Sequence, residues 1–84
     1  MLRPLDINVS LEEEIDKLYE ETEEFICGAV GGDKENAIEE FWDSVQVKLN
    51  IMDMVGISMK EVYEGLNKHI DKMKERGYTF KTER

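Results

Sequence analysis

Apolar or small residues recur at spacings of three and four along most of the chain, as they do in amphipathic α-helices. The first such repeat consists of Leu11, Ile15, Leu18, Thr22, Phe25 and Ala29. No segment alternates between apolar and polar residues in the way that a half-buried strand does. Pro4, the single proline, precedes the first repeat and therefore interrupts no helix. The pattern predicts an all-α fold.

Capping residues and glycines divide this pattern into three helices. Ser10 and Glu13 form a capping-box sequence at the start of the first helix. Asp33 can cap the second helix, and Ser58 begins the third with another capping box. Glycines suited to helix ends follow each helix: Gly28, Gly31 and Gly32, then Gly56, then Gly77. We expect one domain over residues 1–84, with its core at about 10–77 and tails at 1–9 and 78–84.

The size of the chain and its second helix both indicate self-association. A domain of 84 residues buries only about 60% of the surface that its unfolded chain exposes. The second helix is apolar on nearly two faces, with Val45, Leu49 and Met52 on one and Val47, Ile51 and Met54 on the other. Such a helix lies centrally or contacts a second subunit. The sequence therefore predicts an antiparallel bundle of about three helices per chain, completed by oligomerisation as a homodimer or homotetramer.

The charge of the chain excludes several classes of partner. Twenty acidic residues against 11 basic ones leave a net charge of -9, which disfavours binding to nucleic acid and to anionic membrane surfaces. No apolar run is long enough to span a bilayer, and the N-terminal residues lack the apolar core of a signal peptide. Cys27 is the single cysteine, so no internal disulfide can form. We expect a cytoplasmic protein.

The acidic residues are concentrated in the first helix. Residues 12–24 contain eight acids and one lysine, a local charge of -7. At about 100° per residue, Glu21 and Glu24 fall on one flank of the apolar stripe and can project toward one point. On the second helix, Glu40 and Asp43 repeat this spacing within an apolar run, where an unpaired charge is costly. Two such pairs on neighbouring helices would form an all-oxygen site suited to Mg²⁺ or Mn²⁺. The alternative is that both pairs are ordinary solvated faces.

The two acidic segments resemble a known motif. Residues 20–24 (EETEE), a glycine-rich turn and residues 39–43 (EEFWD) are similar to the E-E-x-x-E and E-x-x-D pattern of the MazG-like all-α nucleoside triphosphate pyrophosphohydrolases. The resemblance covers about residues 11–78. It implies that Glu21, Glu24, Glu40 and Asp43 bind Mg²⁺, which in turn binds a substrate triphosphate. Glu20 would orient water or metal without binding the ion directly.

The third helix carries the candidate phosphate-binding residues. His69, Lys72 and Arg76 lie on one flank of its apolar stripe, while Lys68 points away. The resemblance implies that these cations contact the phosphates, whereas ordinary complementation of the helix dipole explains them equally well. Trp42 stands where many members of the family carry a small residue. It either fills space in the core or an interface, or forms a wall against which a base stacks.

These features predict hydrolysis of a nucleoside or deoxynucleoside triphosphate to the monophosphate and pyrophosphate, with Glu21 or Glu24 as the proton acceptor. The base, the sugar and the chain that supplies the basic residues stay open at this point. The rival hypothesis is a non-catalytic acidic helical module that binds another protein. A ferritin-like di-iron site is excluded because it requires Glu-x-x-His, and Leu66 stands three positions before His69, the single histidine.

Overall fold

The computed structural model describes residues 1–82 and contains three α-helices: α1 (Leu11–Val30), α2 (Lys34–Met54) and α3 (Met59–Glu75). No strand occurs within these residues, so the all-α prediction is confirmed. Ser10, Asp33 and Ser58 are the three N-caps, and each accepts a hydrogen bond from a backbone N–H three residues later. The last two residues of the predicted C-terminal tail, Glu83 and Arg84, lie outside the described part.

Helices α1 and α2 form the packed unit of the chain. A tight turn joins them, in which Gly32 adopts φ +76°, a left-handed conformation that glycine takes without strain. Gly28 belongs to α1 itself and is buried where the two helices approach most closely. A Cβ atom at Gly28 would lie 3.1 Å from the backbone nitrogen of Ala37. The absence of a side chain at residue 28 therefore allows the close crossing of α1 and α2.

The residues buried between the helices are more polar than those of an ordinary core. Val47 and Leu49 are the apolar members, and Glu14, Glu40, Ser44 and Asn50 are the polar ones. Asn50, on α2, donates a hydrogen bond from Nδ2 to Glu14 Oε2 on α1 at 2.7 Å. Many large apolar side chains are instead exposed, including Phe41, Trp42 and Leu66. A single chain therefore leaves many of its large apolar residues exposed to solvent.

The N-terminal segment, residues 1–10, has no regular secondary structure but is anchored to the helices. The backbone N–H of Leu5 donates to Asn50 Oδ1 at 2.8 Å, and Gln46 Nε2 donates to the carbonyl oxygen of Arg3 at 2.8 Å. The Tyr63 hydroxyl, on α3, donates to the carbonyl oxygen of Leu2 at 2.7 Å. The segment thus crosses α2 and links it to α3.

Helix α3 contacts α2 but not α1. No Cα atom of α3 lies within 8 Å of an α1 Cα atom in the described structure. The three predicted helices are therefore present, but within one chain they form a helix pair with a third helix beside it, not a closed bundle. None of the three helices is long and apolar enough to cross a membrane within residues 1–82.

Candidate metal centre

Three carboxylates from α1 and α2 converge at the edge of the helix pair. Glu21 and Glu24 come from successive turns of α1, and Glu40 comes from α2. One oxygen from each residue lies within 4.8 Å of the others. The close approach of α1 and α2 at Gly28 and the hydrogen bond between Asn50 and Glu14 hold together the two helices that carry this acid cluster.

Burial is uneven within the acid cluster. Glu40 is only 9% exposed, Glu21 is half-buried, and Glu24 is exposed. Two oxygens, Glu21 Oε2 and Glu40 Oε2, are shielded from solvent and have no hydrogen-bond partner within residues 1–82. A carboxylate can only accept hydrogen bonds, so two of them side by side cannot satisfy each other. A shared proton or a cation between the two carboxyl groups would satisfy both oxygens.

The electrostatics of Glu40 favour the shared proton. Its pKa is raised from an ordinary 4.5 to about 8. The largest cause is a hydrogen bond to the Glu21 carboxyl, which favours the protonated acid; burial and the neighbouring Glu24 raise the pKa further. At neutral pH and without a cation, Glu40 is therefore mostly protonated. A metal ion would take the place of that proton.

Two cavities adjoin the acid cluster. The larger one, of about 460 Å³, lies between the N-terminal segment and α1, and both Glu21 and Glu24 line it. Its apolar wall is formed by Leu5, Ile7 and Val9, and its acidic wall includes Glu13, Asp16 and Glu20. A cavity of this size lies within the range of small-molecule sites. The acid cluster therefore opens into a space that can hold a ligand.

Asp43, the fourth predicted metal ligand, stands apart from the group of three. It is exposed and lines the smaller cavity, of about 200 Å³, together with Glu21. Its side chain is therefore near the acid cluster without sharing the point where the other three oxygens meet. The direct role assigned to Asp43 stays a prediction, and a role through water is equally compatible with this position.

The predicted substrate-binding residues lie on other parts of the molecule. His69, Lys72 and Arg76 are exposed on α3 or at its end, and α3 does not contact α1. Trp42 is 55% exposed and lines an apolar cavity with Phe41 and Leu66 on the α2–α3 side. Within residues 1–82, the chain does not bring these four side chains to its own acid cluster.

Lys17 is a residue that the sequence analysis passed over. It lines both cavities beside the acid cluster. Although Lys17 is surrounded by acids in sequence, the one ion pair within residues 1–82 joins Lys60 to Glu64 at 4.0 Å. The sequence did contain a signal that could have identified Lys17, because it is the only basic residue in residues 12–24 and lies four positions before Glu21. Asn50 and the N-terminal segment gave no comparable signal, because the hydrogen bonds that link Asn50 to α1 and this segment to α2 and α3 join residues 36 to 61 positions apart.

Comparison with known proteins finds no matching family model, no similar curated protein and no similar solved structure. The geometry of the acid cluster and the pattern of acidic residues in the sequence are therefore the observations that bear on function.

Proposed function

We propose that the chain hydrolyses a nucleoside or deoxynucleoside triphosphate to the monophosphate and pyrophosphate, using Mg²⁺ bound by the acid cluster. The observation that carries the proposal is the pair of shielded oxygens, Glu21 Oε2 and Glu40 Oε2, that have no donor. Leaving them unpaired costs stability, so a chain that places them together benefits from a cation there. The resemblance of residues 20–24 and 39–43 to the MazG-like motif supports the reaction class.

The residues of the acid cluster fit Mg²⁺. The ion prefers oxygen ligands about 2.0–2.1 Å away in an octahedron, which places those oxygens about 3–4 Å apart. The three carboxylate oxygens lie within 4.8 Å of one another, so small side-chain rotations would bring them to that spacing. Mn²⁺ has the same ligand preference and is a possible substitute. The bound ion would supply phosphate polarisation and a water of lowered pKa.

The side chains have distinct proposed roles. Glu40 and Glu21, the more buried pair, would hold the ion together with Glu24, and Asp43 would support it from the smaller cavity. Glu24 is the exposed member of the acid cluster and is best placed to accept a proton from water that enters from the larger cavity. Lys72, Arg76 and His69 would offset phosphate charge, and Trp42 would contact the base.

Pyrophosphate release from a panel of nucleoside triphosphates with Mg²⁺ tests this proposal. We expect turnover by the wild-type chain and a loss of about 100-fold or more for Glu40→Gln, because losing a direct metal ligand should cost no less than the 10–100-fold typical of residues that only orient such ligands. Glu39→Gln is the matched control, since Glu39 is exposed and lies outside the acid cluster. Mg²⁺ affinity measured by calorimetry should fall in Glu40→Gln and not in Glu39→Gln. Equal turnover by the two variants would remove the basis of the assignment.

We also propose that the chain acts in the cytoplasm as a homodimer or homotetramer, and that its ligand is a nucleotide and not a nucleic acid. Oligomerisation is supported by the buried interior of residues 1–82, in which Val47 and Leu49 are the only large apolar residues. The net charge of -9 supports a nucleotide over a nucleic acid.

The alternative function is a non-catalytic helical module that binds another protein. The exposed apolar side chains Phe41, Trp42 and Leu66 favour it, because patches of this kind mark protein interfaces. The two functions differ in their response to metal and nucleotide. Absence of turnover together with absence of a Mg²⁺-dependent rise in melting temperature would favour the interaction module.

A further inference from the structure

A continuous apolar face extends over α2 and α3. We define the apolar face by Phe41, Trp42, Val45, Leu49, Val62 and Leu66. These residues line a cavity of about 600 Å³, and no charged side chain of the described chain lines it with them. Trp42 and Leu66 are both 55% exposed. An aromatic-rich surface without charges has the composition of the centre of a protein interface.

The area of the chain indicates how large that interface is. The accessible surface is 7127 Å², whereas a compact protein of 9.8 kDa exposes about 5,200 Å². The radius of gyration is 15.1 Å, against about 12 Å for a compact domain of this length. The extended N-terminal segment contributes to the excess, as do the exposed side chains of the apolar face. An excess of about 2,000 Å² per chain is what an obligate homodimer removes from solvent.

Charge favours a second copy as the partner. Residues 12–24 carry a local charge of -7, while residues 67–82 contain five basic and two acidic residues. These oppositely charged segments do not meet within one chain, because α3 lies away from α1. In a dimer with a two-fold axis, the basic segment of each copy would complement the acidic segment of the other copy.

We propose that a second copy of this chain covers the apolar face, and that its α3 brings Lys72 and Arg76 to the acid cluster of the first copy. Lys72 and Arg76 flank the apolar stripe of α3, so a partner packed on that stripe receives them at its surface. The acid cluster then gains in trans the cations that its own chain does not place there. The second half of this proposal rests on the proposed function, and the first half does not.

The mass in solution tests the interface without any assay of activity. We expect light scattering to give at least twice the chain mass of 9.8 kDa. Leu66→Glu should yield the single-chain mass, while Ile26→Glu, at a similarly exposed position outside the apolar face, should not. If Leu66→Glu fails to fold, dilution of the wild type decides the question. A single-chain mass at every concentration, or dissociation by Ile26→Glu alone, would overturn the proposal.

Mixing two inactive variants tests whether the site is completed in trans. Glu40→Gln lacks one carboxylate of the acid cluster but keeps both cations of α3. The double variant Lys72→Ala with Arg76→Ala lacks these cations but keeps the acid cluster. An equal mixture contains mixed dimers with one intact site, so about a quarter of the wild-type turnover should return. Lys68→Ala, which removes a charge on the other side of α3, should be active by itself. No recovery in a mixture shown to exchange subunits would overturn the assignment in trans.

Crosslinking separates failure of this assignment from failure of the enzymatic proposal. A carbodiimide joins a lysine amine to a carboxylate that touches it, so it requires no turnover. In an equal mixture of ¹⁵N-labelled and unlabelled chains, we expect peptides that join Lys72 to a carboxylate of residues 20–24 with one isotope on each side. Links confined to a single isotope, or none to α1, would contradict the proposed position of Lys72 even if the wild type is active.

Discussion

At the scale of single residues, two carboxylate oxygens define the site. Glu21 Oε2 and Glu40 Oε2 are shielded from solvent, and they have no donor as long as both carboxyl groups are ionised. The pKa of Glu40 is raised to about 8, first by the hydrogen bond that its protonated form makes with Glu21. Helical spacing predicted that Glu21 and Glu24 project toward one point, because i and i+3 positions share a face. That Glu40 joins them followed only from expecting α1 and α2 to be neighbours and from the resemblance to the MazG-like motif. The same rule could not distinguish Asp43, because the angle between α1 and α2 decides which residues of α2 reach α1.

The raised pKa of Glu40 gives the stability of the metal-free chain a specific pH dependence. Between about pH 5 and about pH 8, the folded chain retains a proton that the unfolded chain has released. The folded state therefore loses stability as pH rises through this range. We expect the melting temperature of the wild type in chelator to fall more steeply than that of Glu40→Gln, followed by circular dichroism. Parallel curves for the two proteins would show that Glu40 is not perturbed.

At the scale of elements, the close crossing of α1 and α2 depends on Gly28. Alanine there would place Cβ 3.1 Å from Ala37 N and 3.0 Å from Asn36 Nδ2, which pushes the helices apart. Such overpacking costs about 1–3 kcal/mol, while replacing glycine within a helix returns about 1 kcal/mol. We expect Gly28→Ala to lower the free energy of unfolding in urea. Gly65→Ala is the matched control in α3, where nothing lies within 4 Å, and it should raise that free energy by up to about 1 kcal/mol.

A second element, the N-terminal segment, depends on Asn50. This side chain is 4% exposed and bonds both Leu5 N and Glu14 Oε2. Asn50→Ala removes both bonds and leaves the Glu14 oxygen buried without a donor, which costs about 1–3 kcal/mol. Amide exchange at Leu5 should accelerate together with the loss of stability. Asn67→Ala, at an exposed position of α3, should change stability by less than about 0.5 kcal/mol. Slow exchange at Leu5 in Asn50→Ala would mean that other contacts hold the segment.

The elements differ in how far local sequence determines them. The helix starts at Ser10, Asp33 and Ser58 were predictable because each cap acts on a backbone N–H only three residues away. The path of the N-terminal segment was not, since its hydrogen bonds come from side chains 43 to 61 positions later in the chain. The sequence pattern likewise placed Gly28 in the segment that ends α1. In the structure Gly28 lies within α1, where it allows the close approach of Ala37 on α2. Contacts between distant segments are what the sequence pattern leaves undetermined.

At the scale of the whole molecule, stability and self-association should be coupled. Within residues 1–82, Val47 and Leu49 are the only large apolar residues that are buried, which is less core than an independent domain of this size needs. If the apolar face is covered by a second copy, folding and dimerisation occur together, and mass action then makes the melting temperature rise with protein concentration. Each tenfold increase in protein concentration contributes about 1.4 kcal/mol per mole of dimer.

Thermal unfolding at several concentrations measures this coupling of folding to dimerisation directly. Leu66→Glu should melt at a lower temperature that no longer depends on concentration, whereas Ile26→Glu should retain the dependence. A wild-type melting temperature that is independent of concentration would instead require the α1–α2 pair to be stable by itself, with its polar interior as the main source of stability.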